Sequence, residues 1–114
     1  FPHWFLDDFH ARAGRDSLLL YDQDWLLAAI APRKLLVSSA SEDSWADPAG
    51  EFAALWAALP VYRLYNPKAA LPSVFPPPRD GHSYGAGPVG FHLRAGPHDL
   101  RQADFVAFVA LLRR

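Results

Sequence analysis

An imidazole and a carboxylate together form half of a proton relay. The neutral ring takes a proton from a nucleophile and later returns it to a leaving group, while the carboxylate fixes the tautomer and stabilises the charged ring. The chain carries five histidines, so position must choose among them. His3 and His10 lie in an aromatic N-terminal segment, His82 in a proline-rich stretch and His92 inside an apolar run that reads as a strand. His98 alone occupies a turn bounded by glycine and proline, Ala95-Gly96-Pro97-His98-Asp99, just before the last helix. Taken by itself, a histidine so placed is more often a cap or a surface residue than a base.

The acids that could serve it follow another apolar run, in Ser41-Glu42-Asp43-Ser44-Trp45-Ala46-Asp47. Asp47 directly precedes Pro48, so it has a local duty as N-cap of the next helix. Asp43 stands three residues past the run with no comparable duty and is the preferred acid. Its plainer reading is an ordinary Asx-type turn residue. Glu42 should point the other way. Trp45 offers an apolar ring face for a sugar and one N–H donor, or else packs beneath the proline-rich loop. Trp4, Trp25 and Trp56 fit apolar faces and are expected in the core.

Other chemistries find little support. There is no HExxH, no compact His/Asp cluster at ligand spacing and no cysteine, so neither a metal nor another cofactor is expected. Gly85-Ala86-Gly87 lacks the strand–turn–helix setting of a phosphate cradle. The formal charge is −1 with charges interspersed, which gives no footprint for nucleic acid or an anionic membrane. No stretch approaches the ~20 apolar residues of a membrane span. The N-terminus has neither an initiator methionine nor a signal-type apolar core, so the chain is expected to begin inside a longer protein or to be processed.

The elements that must position these residues alternate in type. A helix is expected over 22–31, with Trp25, Leu26, Ala29 and Ile30 on one face, stopped by Pro32. Lys34 to Ala40 reads as a strand covered on both faces. Pro48 to Leu59 reads as a helix with Phe52, Leu55, Trp56 and Leu59 inward. Val61 to Tyr65 and Gly90 to Arg94 read as strands, and residues 66–90, holding six of the eleven prolines, as a long surface loop. Gln102 to Leu112 reads as a closing helix with Phe105, Phe108, Val109 and Leu112 at core spacing, opened by a capping box of Asp99 and Gln102. Strands alternating with helices predict an α/β fold with an incomplete sheet, a single unit over 1–114 that needs an N-terminal remainder of its domain. An acid after one strand and a histidine after a later one match the order Ser…Asp/Glu…His of α/β-hydrolases.

Several separated blocks carry a resemblance. They are Phe1-Pro2-His3-Trp4-Phe5; Tyr21-Asp22-Gln23 running through Leu26-Leu27-Ala28 to Ile30-Ala31-Pro32-Arg33; Ser41 to Pro48 with Gly50-Glu51-Phe52; Pro60-Val61-Tyr62; and Gly90-Phe91-His92-Leu93-Arg94 with Gly96 and His98-Asp99. In this order they resemble the C-terminal portion of bacterial glucuronoyl esterases. The resemblance implies a serine carboxylic ester hydrolase acting on esters of glucuronic acid or its 4-O-methyl form in plant glucuronoxylan, secreted or periplasmic. Acetyl or other esters are the alternative substrates, and a catalytically incomplete fragment with a carbohydrate-binding or interaction role is the alternative function.

By position, His98 matches that family's catalytic histidine, Trp45 its sugar-contacting tryptophan and Asp43 the acid that bacterial members use after this strand. Other members place the acid after the preceding strand, a region N-terminal to Phe1, so an upstream acid stays open. The nucleophile and oxyanion residues should also lie upstream, because none of Ser17, Ser38, Ser39, Ser41, Ser44, Ser73 or Ser83 sits in a G-x-S-x-G elbow. Pro97 stands where a lysine is common in the family.

Overall fold

A computed structural model describes residues 2–4 and 7–114; Phe1 and Phe5 of the N-terminal block lie outside the described residues. After short helical turns at Pro2–Trp4 and Asp16–Leu18 and a helix α1 (Asp7–His10), the ordered frame is α2 (Gln23–Ala28), β1 (Leu35–Ala40), α3 (Pro48–Tyr65), β2 (Ser83–Tyr84), β3 (Val89–Arg94) and α4 (Gln102–Leu112). The strands form one mixed sheet in the order β1-β3-β2. Strand β1 runs parallel to β3, pairing Leu35 with Val89 and Ala40 with Arg94, and β2 is antiparallel to β3. This is a small α/β fold.

Strand β3 is buried along its whole length, as expected where a central strand has neighbours on both sides and helices on its faces. Its side chains join those of α3 in the core. Phe52 and Leu55 pack with Phe91 and Leu93, while Ala58, Leu59 and Tyr62 pack with Val89 and Ala69. Two helix starts are set by aspartates. The Asp22 carboxylate accepts from Gln23 N–H (2.7 Å), and the Asp47 carboxylate accepts from Gly50 N–H (3.1 Å) at the head of α3.

The structure departs from the sequence expectations in identifiable places. Val61 to Tyr65 is not a strand but the last turns of α3. The inward positions continue unbroken from Leu55 through Ala58 and Leu59 to Tyr62, and Tyr62 is fully buried with its hydroxyl donating to Leu27 O (3.2 Å). That packing carries the helix through Pro60, whose ring forfeits one backbone bond on the exposed side.

The segment 66–90 is not a plain loop. It holds β2, an antiparallel bridge between Ala70 and Ala86, a buried Ala69, and Phe75 in edge-to-face contact with Phe52 and Phe91. Helix α2 is shorter than expected, with Leu27 and Ala28 facing the core while Trp25 and Leu26 are exposed. Trp4 and Trp56 are exposed as well, so none of these three tryptophans is a core residue of this unit.

Helix α4 lies where expected but is turned. Asp104, Ala107 and Leu111 are buried, whereas Phe105, Phe108, Val109 and Leu112 face outward. Buried Asp104, tied to Ser38 on β1 and Arg94 on β3, holds α4 in this rotation. The capping contact is made by the Asp104 carboxylate, which accepts from Arg101 N–H (2.8 Å). Asp99 instead accepts from Leu100 N–H (2.8 Å) and Arg101 Nε (3.2 Å).

Candidate active site

Parallel neighbours end at the same edge of a sheet, so the loops that follow β1 and β3 leave side by side. They are stitched together at once. Ser41 N–H donates to Arg94 O (2.8 Å), Glu42 N–H to Gly96 O (3.0 Å), and Gly96 N–H to the Ser41 hydroxyl (3.2 Å). Gly96 sits at φ 110, a left-handed conformation that favours glycine, and turns the second loop back over the first.

This stitching brings His98 to Asp43. The ring Nδ1 lies 2.5 Å from Asp43 Oδ2, and Asp43 Oδ1 accepts from Ala46 N–H (3.3 Å). The carboxylate is nearly buried and the imidazole almost fully exposed, their side chains 10% and 87% accessible. The ring is therefore gripped at Nδ1 and presents its remaining nitrogen, Nε2, outward. Hydrogen bonding to Asp43, then its charge, raise the His98 pKa above the ordinary value, and the same bond lowers that of Asp43. Chemically the arrangement is a base with a fixed tautomer, able to accept a proton at Nε2 while the carboxylate stabilises the imidazolium.

The other acids divide by position. Asp47 caps α3, and Glu42 is exposed. Trp45 does not pack beneath the 66–90 segment; the residue is 83% exposed beside the acid.

Sequence reasoning missed a second layer. A cleft of about 150 Å³ behind the pair is lined by Ser38, Glu51, Arg94 and Asp104 in addition to Asp43 and His98. Burial, with the Asp43 and Asp47 charges adding to it, raises the Glu51 pKa. Asp104 is held below its ordinary value: burial works to raise it, but Arg101 N–H, the Ser38 hydroxyl (2.7 Å) and the Arg94 guanidinium (3.3 Å) outweigh that cost. The available signal was Arg94 itself, a cation ending an apolar strand immediately before the Gly-Pro turn. A charge placed there must be buried with partners.

No family model matches the chain. It is 38% identical over 109 residues to the carbohydrate esterase MZ0003 from an unknown prokaryotic organism, covering 96% of this chain and 24% of that protein. Its homologues are named as a carbohydrate esterase and, among solved structures, as CE15 and glucuronoyl esterases. The chain superposes on a promiscuous CE15 esterase from a marine bacterial metagenome with a TM-score of 0.84 at 38% identity, covering 97% of this chain and 28% of that one. On a glucuronoyl esterase from Solibacter usitatus the TM-score is 0.83 at 34% identity, covering 99% and 28%. The chain thus spans about a quarter of the length of these relatives and is consistent with a C-terminal portion of such an esterase.

Proposed function

We propose that the protein to which this chain belongs is a serine-type carboxylic ester hydrolase acting on (4-O-methyl-)glucuronic acid esters of plant glucuronoxylan, working outside the cytoplasm. The chain supplies the C-terminal portion of one α/β-hydrolase catalytic domain. The observation that carries the reading is the His98–Asp43 pair, held at the ends of two adjacent parallel strands in a chain whose relatives are named carbohydrate and glucuronoyl esterases.

His98 Nε2 takes the proton of a serine hydroxyl supplied by the upstream part of the domain, as that oxygen attacks the ester carbonyl. The tetrahedral oxyanion collapses by breaking the bond to the alcohol, which leaves with the proton returned by His98. A water then repeats the sequence on the acyl-enzyme and releases the uronic acid. Asp43 holds the ring in the productive tautomer throughout. Trp45, exposed next to the acid, offers its indole face to the sugar ring.

A second reading, hydrolysis of acetyl and other simple esters, is favoured by the relative described as promiscuous. Trp45→Ala in the full-length protein separates the two. A fall of about tenfold or more in kcat/KM for a glucuronate benzyl ester, with simple acetyl esters unaffected, supports the uronate reading. Equal turnover of both substrate classes before and after the substitution rejects it.

A further inference from the structure

We propose that Arg94 is the positioning residue of the catalytic histidine: its guanidinium, anchored to Asp104 on α4, grips the backbone of the turn that carries His98. This rests on the reading of His98 as the general base.

The contacts concentrate on that turn. Arg94 Nη1 donates to Ala95 O and Pro97 O (both 3.3 Å), and Nη2 donates to Pro97 O (3.3 Å) and Asp99 O (2.7 Å). The carbonyls before and after His98 therefore both end on one rigid cation. Its Nε donates to Asp104 Oδ2 (3.3 Å), and Asp104 is tied in turn to the Ser38 hydroxyl on β1 and to the backbone of Arg101.

This joins β1, β3, α4 and the histidine turn around one guanidinium that is 5% exposed. Within this unit the His98 ring meets solvent over most of its surface, and the contacts that hold it come from its own turn and from Asp43. Its placement relies on the backbone beneath it and on Asp43. Pro97 reinforces the design, because its fixed φ removes freedom from the residue whose carbonyl Arg94 holds twice. Lysine in place of Arg94 keeps the charge but cannot span three carbonyls and a carboxylate with a planar fork.

The test is made in the full-length protein with Arg94→Lys, using His98→Ala as reference. The expected result is a folded enzyme whose kcat on a glucuronate benzyl ester falls ~10–100-fold with KM nearly unchanged, since small misplacements of a reacting group act on the chemical step. The low-field proton resonance of the short His98–Asp43 bond should be lost in parallel. Where Arg94→Lys does not fold, Asp104→Asn, which keeps the anchor's shape but removes its charge, is expected to lower kcat and weaken the resonance in the same direction.

A folded Arg94→Lys or Asp104→Asn enzyme that keeps the resonance and wild-type kcat, while His98→Ala is inactive, overturns the positioning role alone. Wild-type turnover in His98→Ala removes the reading of His98 as base, and this proposal with it.

Discussion

At the scale of single residues, chemistry depends on which atoms of His98 are occupied. Asp43 at Nδ1 leaves Nε2 for the reaction and raises the pKa of the ring. His98 must be neutral to act as base, so the acid limb of the activity profile should lie at higher pH than for an unpaired histidine. Asp43→Ala is expected to lower kcat and to move that limb to lower pH, as measured by kcat/KM against pH. An unchanged rate and limb would assign the orienting role to an upstream acid. The stability linkage has the matching sign. The raised His98 pKa stabilises the fold at low pH and is lost as pH rises through it, whereas the lowered Asp43 pKa stabilises above the ordinary aspartate value and is lost on acidification. The pair therefore contributes most between the ordinary pKa values of the two groups, and modestly, since the ring is exposed. Sequence order and turn chemistry marked both residues as candidates, which the structure brings into contact, and the competing duty of Asp47 separated it from Asp43. Arg94 signalled a buried cation but not a grip on the histidine turn, because the partners it has there are backbone carbonyls that any sequence carries.

At the scale of elements, local signals located helix starts well and the face of α3 at Phe52, Leu55 and Leu59, but misread the faces of α2 and α4. Asp47 before Pro48 marked the head of α3, and the structure adds two constraints that composition does not reveal. Asp47 sits at φ 52, and a Cβ on Gly50 would lie 2.4 Å from the Asp47 carboxylate. Asp47→Ala should therefore cost roughly 2 kcal/mol, combining the lost cap with a left-handed alanine, whereas Asp47→Gly should cost only a few tenths. Gly50→Ala should be more destabilising in the wild-type background than in Asp47→Gly, where no carboxylate has to move. Denaturant midpoints of the four proteins measure that coupling. Equal effects of Gly50→Ala in both backgrounds would contradict the crowding. The end of α3 was misread because Pro60 and the β-branched Val61 look like a break and a strand, and only tertiary burial of Tyr62 shows the helix continuing. The face of α4 was misread for the opposite reason. Its largest apolar residues face outward, and a buried ionic contact set its rotation instead.

At the scale of the whole molecule, the unit has a consistent core and incomplete coverage. Strand β1 lies at one edge of the sheet, and among the described residues no strand pairs with its outer side. A trough of about 1010 Å³ lies between α2, β1 and α3. Phe105, Phe108 and Val109 of α4, together with Trp25 and Trp56, are exposed. Apolar surface of this extent is expected to drive self-association of the 114-residue chain expressed alone. Light scattering and binding of a hydrophobic dye should reveal this, and both signals should be weaker per mole in the full-length protein; a monomeric, dye-silent isolated chain would show that these faces need no cover. Alternation of strands and helices made the α/β architecture readable, whereas the mixed sheet depended on β2, hidden in a stretch rich in proline. The account rests on His98 serving as general base, and the most direct test is the turnover of a glucuronate benzyl ester by the full-length protein and its His98→Ala variant. The prediction is a loss of ~10³-fold or more in kcat with the fold intact, and wild-type turnover in the variant would contradict it.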